Sequence, residues 1–241
     1  MKATEADVTL SDIEAARGRI DELMHTTPVW PSRELSGRAG IAVMLKCENL
    51  QRTGSFKVRG AINMLATLQR PAGVVAASAG NHAQAVALAT TTLGMAATVV
   101  VPAEGPLAKR RAAAAYGAEL VVEDGPLALA IARAQELAAE RGLVFVPPFD
   151  HPAIVAGQGT LGLELVEQAP DVETVLVPAG GGGLLAGVAV AVKALRPRAR
   201  VIGVQSRAMP GIVASRDAGA VEAAPSTRTI AAGSPWRVLR S

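Results

Sequence analysis

The sequence predicts an α/β fold built on mostly parallel sheets with helices packed on both faces. Three observations predict it. First, β-rich runs alternate with helical stretches at intervals of about 20–30 residues through most of the 241-residue chain. Strand–helix–strand units of that length pack their crossover helices against a parallel sheet. Second, half of the residues are hydrophobic while only 2% are aromatic, so the apolar mass is Ala, Val, Leu and Ile, with small residues for helices and β-branched ones for strands. Third, the unusual glycine- and serine-bearing segments each fall between a β run and the next helix, on the edge where such folds bind ligands.

The elements follow in order. Ser11-Asp12-Ile13-Glu14 has the form of a capping box and predicts a helix from there to about Leu23. Strands are predicted at 43–46, 73–77, 97–101, 119–123, 143–146, 174–177 and 200–204. Helices are predicted at 55–69, 81–93, 107–116, 126–141, 152–168 and 183–195. Right-handed crossovers then gather the loops that follow the strands on one edge. No internal repeat interrupts this order.

Composition excludes several classes. No apolar run approaches the ~20 residues of a membrane span; the longest, from Leu184 to Leu195, is broken by Lys193. The N-terminus carries Glu5 and Asp7 and no apolar core, so it does not read as a secretory signal. A single cysteine, Cys47, excludes an internal disulfide and fits a reducing compartment. The expectation is a cytoplasmic protein without membrane association. The formal net charge of +3 is small, and Lys109-Arg110-Arg111 has no interleaved aromatics, so nucleic acid is not an expected partner.

Three loops carry chemistry. Gly180-Gly181-Gly182-Gly183, before a predicted helix, can fold so that successive N–H groups line one hollow beside the positive helix end, which suits a phosphate. Gly181, Gly183 and Ala186 also fit the G-x-G-x-x-A pattern of a dinucleotide site. The next strand, however, ends in Gln205-Ser206 rather than the acid that holds a ribose, so a nicotinamide dehydrogenase is the weaker reading. Lys57 falls in the first turn of a helix after Thr53-Gly54-Ser55; a Schiff-base lysine needs such a fixed position and the ability to lose its proton. Arg59, two positions on, points to another helix face. Ser78-Ala79-Gly80-Asn81-His82 opens a further helix, either as an ordinary cap or as a site for a carboxylate. The three histidines, His25, His82 and His151, are scattered, so no metal is expected. No G-x-S-x-G elbow points to a serine hydrolase.

Together these segments resemble the fold-type II pyridoxal-phosphate (PLP) enzymes, and within them the serine/threonine dehydratases. The likeness rests on the run from Leu45 to Ala61, which contains Gly54-Ser55-Phe56-Lys57, on Ser78-Ala79-Gly80-Asn81-His82-Ala83-Gln84, on Gly157-Gln158-Gly159-Thr160, and on the run from Val177 to Gly187. The resemblance implies a tryptophan synthase β-like architecture: two three-layer α/β domains with mostly parallel sheets. Residues 1–72 and 147–241 would form a larger PLP-binding domain, and 73–146 a smaller substrate-loop domain. It implies PLP as cofactor, with Lys57 as the Schiff-base lysine that later removes the Cα proton. Phe56 would pack on the cofactor ring, Asn81 would bond its 3′-oxygen, and Gly180, Gly181, Gly182, Gly183 and Leu184 would hold its phosphate. Ser55, Ser78, Ala79, Gly80, Asn81 and His82 would hold the substrate. The implied reaction is α,β-elimination from L-threonine or L-serine, giving 2-oxobutyrate or pyruvate plus ammonia, in a homo-oligomer.

Ala79 stands where similar serine racemases carry a second acid/base serine, so elimination is expected rather than racemisation. Gln205 stands where those racemases carry a metal-binding glutamate. The chain also departs from the family at its end. Thr229-Ile230-Ala231-Ala232-Gly233 has Ala232 in place of an aspartate, and the family continues well past residue 241. Read one base out of frame, codons for Gly-Ile-Ala-Val-Glu-Gly-Pro give Gly-Ser-Pro-Trp-Arg-Val-Leu, which matches the sequence from Gly233 to Leu239. The expectation is a frameshifted tail at 234–241, an incomplete larger domain, and a chain that is unstable or nearly inactive. A PLP-binding remnant without activity is the alternative to an enzyme.

Overall fold

A computed structural model describes residues 7–69, 71–78, 80–103, 105, 107–220 and 222. The expectations placed on Ala79, on residues 229–233 and on the tail at 234–241 lie outside the described residues.

The chain opens with helix α1 (Leu10–Ile20) and a 3-10 turn, Asp21–Leu23. Its capping box starts at Thr9 rather than Ser11. Thr9 Oγ1 accepts from Asp12 N–H, and the Asp12 carboxylate accepts from Thr9 N–H, so Ser11 already lies inside the first turn. Strand β1 (Val29–Pro31) runs antiparallel to β2 (Met44–Lys46), with α2 (Arg33–Ala39) between them. Periodicity did not announce β1 or α2. Three residues ending in proline carry little pattern, and α2 is seven residues long with no buried side chain. The 3-10 turn Glu48–Leu50 then leads to α3 (Lys57–Ala66).

Next come β3 (Val74–Ala77), α4 (Asn81–Leu93), β4 (Ala97–Pro102), α5 (Leu107–Ala115), β5 (Glu119–Glu123), α6 (Leu127–Arg141) and β6 (Val144–Phe145). The four strands form one parallel sheet in the order β5-β4-β3-β6. Both faces of its centre are covered, and the side-chain alternation of a strand divides the two cores. Val74 and Ala76 pack with Val58, Ile62 and Val86 from α3 and α4, whereas Val75 and Ala77 pack with Ile131, Ala134 and Leu137 from α6. The chain moves outward from β3 to β5, then returns to place β6 on the other side of β3. The crevice between the carboxyl ends of β3 and β6 is therefore a topological switch point, the usual ligand position in an open α/β sheet.

After β6 the chain forms α7 (Pro152–Gln168), β7 (Thr174–Pro178), α8 (Gly183–Leu195), β8 (Arg200–Val204) and α9 (Gly211–Ala218). β7 and β8 pair in parallel. Val175 and Val177 bury one face of this pair against Leu161, Val166, Val188 and Val192 of α7 and α8. On the other face Leu176, Ile202 and Val204 are 64%, 40% and 51% exposed. Among the described residues that face is open.

Candidate active site

Lys57 begins α3 after a loop that other segments hold in shape. Gln51 fastens the loop to the stretch after α1: its Nε2 donates to His25 O (2.7 Å), and its Oε1 accepts from His25 N–H (3.1 Å) and Arg52 N–H (3.0 Å). Gly54 turns the chain at φ +68°, where a side chain would be strained. Thr53 Oγ1 and Ser55 Oγ are buried without a hydrogen-bond partner. Buried hydroxyls normally find one, so both, in the loop just before Lys57, have bonding capacity left for another group. Lys57 is itself enclosed. Burial pushes its ammonium down from the ordinary 10.5 to about 8, which gives a readily formed neutral amine. Its Nζ donates to Pro148 O at 2.5 Å and lies 5.4 Å from the centroid of the Phe56 ring. Phe56 packs with Leu184 and the core under β7 and β8.

The second loop opens at the switch point. Ser78 is buried, and its Oγ accepts from Gly80 N–H at 3.0 Å. Gly80 caps α4 through its backbone conformation alone, and Asn81 is the first helical residue. Helix α4 thus begins just past the carboxyl end of β3, and its N-terminal end carries the positive pole of a 13-residue helix. His82 is 2% exposed, with its Nε2 3.0 Å from Val146 O. A carbonyl only accepts, so the proton sits on Nε2. Burial first, and the nearby Lys57 charge second, push the ring down to about 3, so His82 is neutral and offers a carboxylate no positive charge. It ties the start of α4 across the crevice to β6.

The glycine run forms the third side. Gly182 caps α8 at φ +95°. A Cβ on Gly181 would lie 2.3 Å from the Phe149 ring, and one on Gly183 would lie 2.6 Å from Phe149 O. The run is thus pressed on Phe149, and only glycine permits this. Ala186 N–H bonds Gly182 O at 2.9 Å, which leaves the first-turn N–H groups of Gly183, Leu184 and Leu185 at the positive end of a 13-residue helix. Helix α7 is the spine behind all this. A Cβ on Gly157 would lie 2.6 Å from Gly60 Cα in α3, and one on Gly187 in α8 would lie 2.6 Å from Gly159 N. The lysine helix and the cradle helix therefore each touch α7 backbone to backbone.

The structure brings Lys57, His82 and the glycine run together through residues that sequence reasoning passed over: the segment from Val146 to Phe149. Val146 O meets His82, Pro148 O meets Lys57, and Phe149 lies under Gly181 and Gly183. The available signal was position: the segment follows β6, on the same strand-end edge as the other loops. Gln205 has a local job, since its Oε1 accepts from Ile212 N–H (3.1 Å) and Val213 N–H (3.3 Å) and so caps α9.

These features fit PLP: a helix N-terminus for its phosphate, a buried amine of lowered basicity for its aldehyde, and unpartnered hydroxyls in the loop that leads to that amine. Comparison with known proteins agrees. An L-threonine ammonia-lyase of Thermotoga maritima is 46% identical over 229 residues, which are 94% of this chain and 57% of that protein. The chain thus spans a little over half the length of that relative. Among solved structures, the T.th. threonine deaminase superposes with a TM-score of 0.90 at 44% identity, covering 95% of this chain and 75% of that one. Maize serine racemase gives a TM-score of 0.90 at 37% identity, covering 95% and 70%. The sequence profile of the pyridoxal-phosphate dependent enzymes matches residues 20–235, and the chain belongs to that family.

Proposed function

We propose that this protein catalyses α,β-elimination of L-threonine or L-serine, releasing ammonia with 2-oxobutyrate or pyruvate. The observation that carries the reading is Lys57, a buried amine with its basicity lowered to about 8, set between the glycine run and the start of α4. When bound, PLP supplies the electron sink for the pair left at Cα. The N–H groups opening α8, at Gly183 and Leu184, with Gly180, Gly181 and Gly182, would hold its phosphate. Asn81 would bond its 3′-oxygen, and Phe56, packed on the β7/β8 core, would back the ring. The substrate carboxylate would lie against the start of α4, with Ser55, Ser78, Gly80, Asn81 and His82 to hold it; the sequence adds Ala79 to that set. Because His82 is neutral, the carboxylate is held by N–H and hydroxyl dipoles rather than by a cation. Lys57 Nζ takes the Cα proton, and the enclosed site keeps water from competing for it. Position 79 is an alanine with no proton to deliver to the opposite face, which favours elimination over the racemisation for which the maize relative is named. The named threonine relatives support the same choice.

The proposal includes the two-domain division, with 73–146 as the smaller unit, supported by the membership of β3 to β6 in a single sheet. It also includes a cytoplasmic location and a homo-oligomer; among the described residues no helix is long and apolar enough to cross a membrane. The test is keto-acid release from L-threonine and L-serine by the PLP-loaded protein, with chiral analysis of the remaining amino acid. Turnover that falls by a factor of at least ~10³ in Lys57→Ala is expected, as for loss of a group acting in the transition state. D-amino acid without keto acid would establish racemisation instead. Cofactor absorbance with neither product would leave a PLP-binding remnant.

A further inference from the structure

Two positions beyond Lys57, the same helix carries a buried cation with all five of its N–H donors occupied. Arg59 is 1% exposed. Its Nε and Nη2 donate to the two oxygens of Glu48, each at 2.9 Å. Its Nη1 and Nη2 donate to the two oxygens of Glu164, at 2.6 and 3.1 Å. The remaining donor on Nη1 reaches Thr160 Oγ1 at 3.3 Å. A guanidinium has five N–H groups in a fixed plane, so this arrangement specifies its orientation completely. The carboxylates are held in turn. Thr27 Oγ1 donates to Glu48 Oε1 at 2.6 Å, and Lys46 Nζ pairs with Glu164 Oε2. Two cations and two anions close the cluster at neutral charge.

The cluster joins three places that together define where the Lys57 amine sits. Glu48 lies in the turn before the loop 51–56, Arg59 in α3, and Thr160 and Glu164 in α7. One residue further along α3 and one turn back along α7, the two helices meet at Gly60 and Gly157, where Gln158 Oε1 accepts from Gly60 N–H at 3.2 Å. The backbone leading into α7 then supplies Pro148 O, the acceptor of Lys57. The lysine and its acceptor are therefore set by one helix-to-helix docking. Close backbone packing fixes the separation of α3 and α7. Rotation and sliding are resisted by directional bonds between the helices: Gln158 to Gly60 N–H, Asn63 Nδ2 to Ala153 O at 2.7 Å, and, with the most bonds of the three, the planar five-bond Arg59 fork.

We propose that Arg59, with Glu48 and Glu164, is a positioning residue for Lys57, setting the roll and register of α3 on α7 and hence the place of the amine. The proposal rests on the reading of Lys57 as the cofactor lysine. The test uses the full chain with pyridoxal phosphate. It measures the rate of borohydride-trapped pyridoxyl labelling at Lys57 by peptide mass analysis, the pH midpoint of that labelling, and thermal unfolding. Arg59→Lys keeps the charge but loses the fork. It should slow labelling by about tenfold or more, as a misplacement near 1 Å does, and move the midpoint upward as the amine gains solvent. Glu164→Gln should shift both readouts the same way by less, and it carries the test if Arg59→Lys does not fold. Variants that melt earlier yet label at the wild-type rate and midpoint while folded would overturn the proposal, leaving the cluster a purely structural one. Wild-type protein labelled at another lysine, with Lys57→Ala labelled as well, would instead overturn the cofactor-lysine reading on which it stands.

Discussion

His82 is buried with its Nε2–H on Val146 O, so a second ring proton would place a charge in a closed space near Lys57. Its ring is held neutral down to about 3, against an ordinary value of 6.5. Below 6.5 the unfolded chain binds a proton that the folded chain refuses. Stability is therefore intact above that pH and is lost as pH falls toward 3. In urea unfolding, this site alone should remove roughly 2–3 kcal/mol between about pH 6.5 and about pH 4.5, the equivalent of two pH units of linkage. His82→Gln, whose amide nitrogen reaches the place of the Nε2–H and can still donate to Val146 O, should flatten the curve by that amount relative to the wild type. Parallel pH curves for the two proteins would exclude His82 as the source. The same burial that makes His82 acid-sensitive gives Lys57 its lowered basicity, so the two residues share one property of the crevice.

At the scale of elements, the site depends on how α7 receives α3 and α8. Gly157→Ala would drive a methyl group to within 2.6 Å of Gly60 Cα and 2.7 Å of Arg59 O, both backbone atoms that cannot swing aside. It should destabilise the protein by about 3 kcal/mol, the upper range for overpacking. Gly18→Ala in α1 meets nothing within 4 Å and should gain up to about 1 kcal/mol from helix propensity. A Gly157→Ala protein within about 0.5 kcal/mol of wild type, the usual range of surface changes, would show that α7 does not bear on α3 there. This contact also marks the limit of what the sequence made legible. The alternation of β runs and helices gave most elements to within a few residues, because periodicity is local and the buried strands β3 and β4 are short apolar runs between turn signals. Gly157-Gln158-Gly159 could be quoted as a motif but not explained, since its partners Gly60 and Gly187 lie far away along the chain. Phe149 and Pro148 went unseen for a related reason. Pro148 contributes a backbone carbonyl and Phe149 a ring beneath glycines, and neither residue type announces chemistry in a sequence. Lys57, Asn81 and the glycine run could be singled out as candidates because their residue types are unusual at strand ends.

For the molecule as a whole, the buried and open surfaces are unevenly distributed. The sheet β5-β4-β3-β6 has helices on both sides of its centre, as a parallel sheet requires, and β3 and β4 are buried along their whole length. Among the described residues, the pair β7/β8 is covered on one side only. Leu176 and Ile202 are register partners, and Val204 is two residues further along the same face, so their exposed side chains form one continuous apolar strip. Trp30 and its register partner Leu45 make a second apolar patch on one face of β1/β2, with Trp30 63% exposed. Uncovered apolar sheet of this kind is sticky, because association removes it from water at about 25 cal/mol per Å². The 241-residue protein should therefore bind a dye such as ANS while fully folded, and its sedimentation coefficient should rise with concentration in the micromolar range. The double variant Leu176→Lys, Ile202→Lys puts two like charges on the strip while leaving Val175 and Val177 beneath it untouched. It should cut dye binding several-fold and remove the rise of the sedimentation coefficient with concentration, with circular dichroism unchanged. Dye binding and association that are equal in the wild type and the double variant would mean that the β7/β8 face is covered in solution. The open strip would then be no part of the molecule's surface.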